Sequence, residues 1–203
     1  MKYHLYLASG SLSRKLLLED SQIPFSIISQ TADESQCSLD QSLEKLVREL
    51  AYLKMNHIVL PQGKEGQIAF FVTADTMTID LDNKLHGKPT NREDAKRMLR
   101  ACRDGAIVGT AFCLERKIFK NNSWIFQKRI VDYDQAWCRV DISDIFLDFY
   151  LDHVPFTQVS GGITIEKFGE QFVKEIKGNY SAILGMPMYK LREALYQLGF
   201  YDK

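Results

Sequence analysis

Residues 67–76, which read QIAFFVTADT, decide the fold of this 203-residue chain. The run from Ile68 to Val72 is apolar and rich in aromatic and β-branched residues, a pattern typical of a buried strand. We predict that the strand ends near Thr73 and that an extended segment resumes at Met77. An acidic residue just past the end of a buried strand faces the crevice where α/β proteins bind ligands. Asp75 is therefore the first candidate site residue, although a turn-forming role for this Asp is the alternative.

The N-terminal segment predicts a strand, a tight turn and a helix in that order. Residues 3–8 favour the strand, Ser9-Gly10-Ser11 the turn, and residues 14–19 the helix. Helix-start amides, serine hydroxyls and the guanidinium of Arg14 together form a good phosphate site. The alternative is that Ser11 or Ser13 only caps the helix while Arg14 is solvated. A Walker A loop is excluded because its Gly-Lys-Ser/Thr ending is absent.

A second helix is predicted from a capping box of Ser38 and Gln41 to about His57. Its apolar positions recur with helical period at Leu43, Leu46, Val47 and Leu50. Lys54 falls on the same face, where a charge needs a partner. Snorkelling of Lys54 at the rim of the core is the alternative.

The rest of the chain predicts further strands and helices in alternation. Strands are expected at 25–29, 107–114, 124–140 and 170–176, and helices from Asn91 to Cys102, over 142–151 and from Pro187 to Gly199. Asn121-Asn122-Ser123 joins two of these strands as a long hairpin, which is antiparallel. We therefore predict a mixed α/β fold with an extended, twisted sheet and flanking helices, not a pure doubly wound sheet.

Three more charged residues are candidates for the same site. Lys88 stands in Gly87-Lys88-Pro89, where Pro89 keeps it extended and able to reach a phosphate. Glu34 follows the second predicted strand, and Glu166 lies between two glycine-containing turns. Each of them is, alternatively, an ordinary solvated loop residue.

Composition excludes several classes of protein. Lys plus Arg and Asp plus Glu each number 26, so no overall field attracts nucleic acid or an anionic membrane. Stacking of single-stranded RNA on Tyr3, Tyr6 and Phe25 remains a weaker alternative. The four cysteines form no Cys-x-x-Cys pair, and no apolar stretch approaches the ~18 residues of a spanning helix. We expect a single cytoplasmic domain over residues 1–203 that binds no nucleic acid and no membrane.

The order of the motifs is more specific than any one of them. They run Ser-Gly-Ser-x-x-Arg, Asp-Glu, Lys, Ala-Asp-Thr, Gly-Lys-Pro, Gly-Asn-Tyr-Ser and Leu-Gly-Met-Pro. This set closely resembles the Maf family of nucleoside triphosphate pyrophosphatases, from Leu5 to about Leu198. The resemblance implies two lobes around a cleft, a fold similar to that of inosine triphosphate pyrophosphatases, and a homodimer.

The resemblance also implies a reaction and a set of roles. A water activated by Mg²⁺ or Mn²⁺ would cleave a nucleoside triphosphate between its α and β phosphates. Asp75 would accept the proton and, with Glu34, contact the metal. The phosphates would be held by Ser9, Ser11, Arg14, Lys54 and Lys88.

Three positions bear on the base and give a mixed signal. In the branch that takes thymidine and uridine triphosphates, Arg stands at Leu12, Thr at Thr76 and Gln at Glu166. The branch that resembles 7-methylguanosine triphosphate pyrophosphatases has Glu at the position of Glu166, but it has Trp at the position of Leu12 and typically Ser-Asp-Gln where this chain has Ala74-Asp75-Thr76. Other family residues are replaced near Gln158. A nucleotide-binding regulator of division or septum formation, with weakened catalysis, is therefore the alternative function.

Overall fold

A computed structural model describes residues 3–202 and shows a mixed sheet of seven strands with helices on both faces. The strands are β1 His4–Leu7, β2 Phe25–Ile27, β3 Ile68–Asp80, β4 Leu85–His86, β5 Ala106–Lys120, β6 Ser123–Val140 and β7 Val173–Gly178. The helices are α1 Leu12–Asp20, α2 Leu43–Asn56, α3 Arg92–Ala101, α4 Leu147–His153, α5 Tyr180–Ile183 and α6 Met188–Gln197.

The strand order confirms the mixed class. It runs β2-β1-β3-β5-β6-β7, with β4 also paired to β3. β1 is parallel to β2 and β3, whereas β3, β5, β6 and β7 pair in antiparallel fashion. The predicted hairpin is present, and Asn121 and Asn122 both adopt positive φ in its tight turn. Among residues 3–202, no helix is both long and apolar enough to span a bilayer.

The predicted break in the central strand is wrong. β3 continues to Asp80 because β5 pairs with it along its whole length, from Ile68 opposite Ile118 to Asp80 opposite Ala106. Asp75 therefore lies inside the strand, opposite Ala111. The polar Ala74-Asp75-Thr76 step does not end a strand whose backbone groups are already paired by a long neighbour.

Three predicted helix or strand boundaries are also corrected. Ser42, not Ser38, caps α2, and its Oγ accepts from the backbone N–H of Lys45 at 3.4 Å. α4 begins at Leu147 instead of 142 because residues 144–146 form a 3₁₀ turn. β7 begins at Val173 instead of 170 because 3₁₀ turns occupy residues 167–172. In each case a local turn competes with the regular element.

The ends of α6 agree with the prediction. Pro187 precedes its first residue, and Gly199 follows its last turn at φ +80°. The N–H of Gly199 donates to the carbonyl of Tyr196 and that of Phe200 to the carbonyl of Leu195. These two bonds form a Schellman motif, which requires the left-handed conformation that glycine adopts most readily.

Alternation along β3 separates two hydrophobic clusters. Phe70, Val72 and Ala74 pack with α1 and α6 on one face of the sheet. Ala69 and Phe71 pack with α2 on the other face. A third cluster joins α3, α4 and the ends of β5 and β6. Because side chains alternate with a period of two, Asp75 falls on the α2 face and Thr76 on the α1 face.

Truncation of the core on β3 should lower stability strongly. Phe70 is fully buried and packs edge-on against Phe200. We expect Phe70→Ala to lower the free energy of unfolding by about 3–5 kcal/mol because it removes apolar burial and leaves a cavity. Urea unfolding followed by circular dichroism measures this change.

Phe126→Ala is the matched control, because Phe126 is 50% exposed on β6. It should change the midpoint of the urea transition far less. Equal losses for the two variants would contradict the assignment of Phe70 to the core.

Candidate functional site

The site begins at a gap in the sheet beside β3. β1 pairs with β3 only from Ala69 to Val72, and β4 pairs with it at Thr78 and Ile79. In the described chain, no strand pairs with residues 73–77 along this edge. Asp75 and Thr76 lie in this gap, so side chains from both faces of β3 reach one cleft. The crevice is thus made where β1 ends, not where β3 ends.

Asp75 is paired with Lys54 across the interface between α2 and β3. Val47, Ala51 and Lys54 follow one face of α2, and the carbonyl oxygen of Ala51 accepts from the Thr73 hydroxyl at 2.6 Å. Asp75 is the next residue after Thr73 on this face of β3, and its Oδ1 forms an ion pair with the Lys54 ammonium. Lys54 Nζ also lies 2.9 Å from Oε1 of Glu34. The predicted partner of the buried lysine is therefore a pair of carboxylates.

The second oxygen of Asp75 is buried without a hydrogen-bond partner. Burial raises the pKa of Asp75, although Lys54 and Arg14 oppose the rise while Glu34 adds to it. A carboxylate oxygen that is buried but unpaired is energetically unfavourable and is common at functional sites. Oδ2 is thus available to a ligand, a metal ion or a proton.

Arg14 is held on the other side of the gap. Its Nε donates to the carbonyl of Gly185 at 2.7 Å, and its terminal nitrogens donate to Ser9 Oγ at 3.1 Å and Thr76 Oγ1 at 2.9 Å. Ser11 caps α1 and accepts from the N–H of Arg14. Burial lowers the pKa of Arg14, against the effect of Asp75 and Glu34. The guanidinium is therefore fixed by three different segments, not solvated.

The cleft has two adjoining chambers. The smaller, of about 300 Å³, is lined by Asp75 and Thr76, and the larger, of about 750 Å³, by Ser9 and Leu12. Both chambers share Ser11, Arg14, Glu34, Lys54, Lys88 and Glu166. All ten residues predicted from the sequence thus reach one cleft of a size that suits a small-molecule ligand.

The more peripheral candidates differ in exposure. Lys88 is exposed at the rim, and Leu12 is 54% exposed at the mouth. Glu166 is half-buried, and its Oε1 accepts from the Ser13 hydroxyl at 2.8 Å. This bond links the start of α1 to the residue that precedes the 3₁₀ turn of residues 167–172.

Glu34 and Asp75 fit the ligand chemistry of a hard divalent cation. Residues 3–202 hold no cluster of three or more His, Cys, Asp or Glu side chains in metal-binding proximity. Mg²⁺ nevertheless uses one or two carboxylates and completes its shell with water and substrate phosphates. The unpaired Oδ2 of Asp75 and the exposed carboxylate of Glu34 are such donors.

Several residues that shape the site were not predicted from the sequence. Thr110 bonds Thr76 at 2.8 Å and donates to the carbonyl of Ala182 at 2.7 Å. Gly185 supplies the carbonyl that holds Arg14. Thr110 has no local signal, because its role arises from strand register. Gly185 belongs to the Leu-Gly-Met-Pro motif, which contributed to the family resemblance but predicted no function for this residue.

Comparison with known proteins gives matches over nearly the whole chain. A family model described as Maf-like protein matches residues 4–198. The dTTP/UTP pyrophosphatase of Fusobacterium nucleatum is 31% identical over 202 residues, which cover 97% of this chain and 96% of that protein. The dTTP/UTP pyrophosphatase of Halalkalibacterium halodurans is 27% identical, with 97% and 96% covered. The nucleoside triphosphate pyrophosphatase of Prochlorococcus marinus is 27% identical, with 96% and 97% covered.

The contact between Lys54 and Asp75 should show strong energetic coupling. We expect Lys54→Met alone to lower the free energy of unfolding by about 3 kcal/mol, because it leaves a buried carboxylate without its main partner. In Lys54→Met/Asp75→Asn the loss should be smaller than the sum of the single losses. A double-mutant cycle by urea unfolding measures the coupling.

Lys15→Met and Glu19→Gln provide the matched cycle, because that pair is exposed on α1 at 3.6 Å. Its coupling should be near zero. Equal coupling energies in the two cycles would contradict the stronger interaction that we expect for a buried ion pair.

Proposed function

The chain belongs to the Maf-like protein family, and on that premise we propose that it hydrolyses a nucleoside triphosphate to the monophosphate and pyrophosphate. The observation that carries this proposal is the convergence of Arg14, Lys54 and the unpaired Oδ2 of Asp75 on one cleft. Cations that offset phosphate charge stand there beside a carboxylate able to take a proton. The names of the relatives support the same reaction.

The phosphate tail is held by donors from three segments. Arg14 is fixed in place before a ligand arrives, so its remaining N–H groups meet the phosphates at little cost of ordering. Ser9 and Ser11 add hydroxyls at the start of α1. Lys88 is exposed at the rim and can move onto the end of the tail.

Asp75 is the proton acceptor in this proposal. Its raised pKa brings it closer to that of a general base working near neutral pH. The attacking water would give a proton to Oδ2 and its oxygen to the α phosphorus, while the bond from that phosphorus to the α–β bridging oxygen breaks and pyrophosphate leaves with the bridging oxygen. Lys54 would keep Oδ1 in place throughout.

A divalent metal, held by Glu34 and Asp75, would offset phosphate charge and make the water more acidic. We propose Mg²⁺ or Mn²⁺, since both prefer carboxylate and phosphate oxygens. The homodimer, the single domain over residues 1–203 and the cytoplasmic location are also proposals. The homodimer rests on the family resemblance, and the single domain on the length of the chain and the family match over residues 4–198.

For the base, we propose dTTP and UTP. The relatives from Fusobacterium nucleatum and Halalkalibacterium halodurans are named for these two nucleotides, and neither is named for 7-methyl-GTP. The Thr76 hydroxyl is already engaged by Arg14 and Thr110, so the base contact falls to Glu166. A carboxylate only accepts hydrogen bonds, and the N3–H of thymine and uracil is a matching donor.

The division-regulator alternative has no specific observation in its favour. The pyrophosphatases named above cover nearly the full chain, and the charged residues of the cleft are all in place. Tight nucleotide binding by calorimetry, with no turnover across a panel of triphosphates, would select that alternative.

Activity should depend on Asp75. We expect wild-type protein with Mg²⁺ or Mn²⁺ to release pyrophosphate, not orthophosphate, from dTTP or UTP. Asp75→Asn should lower kcat by about 10²-fold or more because it removes the proton acceptor. A coupled assay specific for pyrophosphate makes the measurement.

The control for that assay is Asp82→Asn, because Asp82 is exposed in a turn. It should retain wild-type activity. Release of orthophosphate alone, or full activity in Asp75→Asn, would end the proposal.

The metal requirement should show itself through Glu34. Chelation by EDTA should abolish pyrophosphate release, and Glu34→Gln should raise the metal concentration for half-maximal activity, because an amide oxygen binds Mg²⁺ more weakly than a carboxylate. Metal titrations of the two proteins at saturating nucleotide measure this. An unchanged titration midpoint would remove Glu34 from the metal site.

A further inference from the structure

The wide chamber contains a pair of stacked rings that the proposed reaction does not use. His153, the last residue of α4, and Phe168 in the 3₁₀ turn of residues 167–172 lie parallel, with centroids 4.4 Å apart and planes 13° apart. Both line the wide chamber with Glu166 and Leu12. Phe149 packs against both rings, at 4.7 Å and 5.3 Å.

The two rings are held in position by the backbone. Nδ1 of His153 donates to the carbonyl of Phe149 at 2.7 Å, which fixes the imidazole plane. Lys167, just before Phe168, adopts φ +53° although it carries a side chain. Non-glycine residues in the left-handed region are strained, and such strain is concentrated at ligand sites. Lys167 lines the same chamber.

The position of the rings matches the far end of a nucleotide. The phosphate donors Ser9, Ser11 and Arg14 come from the turn after β1 and the start of α1, whereas the rings come from α4 and the 3₁₀ turn of residues 167–172; all of them line the wide chamber. Glu166 precedes the strained residue and is tied to Ser13 of α1. One ligand in this chamber can therefore place its phosphates on Arg14 and its heterocycle against the rings.

Resting on the proposed function, we infer that the His153–Phe168 pair is the stacking platform for the nucleobase. A planar heterocycle would extend the existing stack, while the free oxygen of Glu166 accepts from its edge. Stacking on an aromatic face contributes substantially to affinity for any base. The platform would thus set affinity, and hydrogen bonding at Glu166 would set discrimination among bases.

The test compares nucleotides with a probe that has phosphates but no base. Calorimetry on the Asp75→Asn protein in EDTA, where turnover should be negligible, measures Kd for UTP, dTTP, GTP, ATP and inorganic tripolyphosphate. At least one nucleotide should bind more tightly than tripolyphosphate. Phe168→Leu and His153→Leu should each raise the Kd for that nucleotide about tenfold and leave the Kd for tripolyphosphate unchanged. Phe168→Tyr keeps a ring and should therefore retain the nucleotide affinity.

Phe126→Leu is the matched control, because Phe126 is an exposed phenylalanine of β6 outside both chambers. The platform is refuted if no nucleotide binds more tightly than tripolyphosphate, or if Phe168→Leu leaves nucleotide affinity intact. It is also refuted if that variant weakens both probes equally, because the ring would then only support the fold. Failure of the proposed reaction is separate: wild-type protein would release no pyrophosphate while the base-dependent affinity persisted.

Discussion

The contact between Lys54 of α2 and Asp75 of β3 is the interaction on which the cleft depends. A buried ammonium and a buried carboxylate are each too costly to leave alone, so the pair fixes the helix against the strand at this point. The same pair leaves Oδ2 of Asp75 free and brings Glu34 onto the site. The Lys54–Asp75 contact therefore fixes both the packing of α2 on β3 and the positions of the two carboxylates in the cleft.

The shape of the cleft follows from unequal strand lengths. β3 is paired with β5 along its whole length, so its strand conformation continues past the point where its other neighbour, β1, has ended. Residues 73–77 consequently present side chains of both faces to one opening, with Asp75 toward α2 and Thr76 toward Arg14. The pairing of β3 with β5, and of β5 with β6, supports these groups on a continuous sheet.

Local sequence patterns predicted which charged side chains belong to the site although they are buried. Lys54 lies on an apolar helical face, so the sequence predicted that it needs a buried partner, although not which one. Arg14 follows three nearby serines, and this pattern predicted a phosphate site at the start of a helix. The extent of β3 was not predictable in the same way, because strand continuation past Ala74 depends on non-local pairing with β5, from Asp75 opposite Ala111 to Asp80 opposite Ala106. The roles of Thr110 and Gly185 likewise arise only from register and turn geometry. The cap of α2 was misplaced because Ser38 and Gln41 have the spacing of a capping box, whereas Ser38 accepts from the N–H of Asp40 in a local turn ahead of the helix.

In the proposed complex, the triphosphate tail lies between Arg14, Lys54 and Asp75. The most direct measurement is a crystal structure of the protein with a non-hydrolysable α,β-substituted nucleoside triphosphate and Mg²⁺. It should show phosphate oxygens within hydrogen-bond distance of Arg14 and Lys88, with the α phosphorus and the metal beside Oδ2 of Asp75. A tail bound elsewhere, with Arg14 and Asp75 contacting only protein, would contradict it.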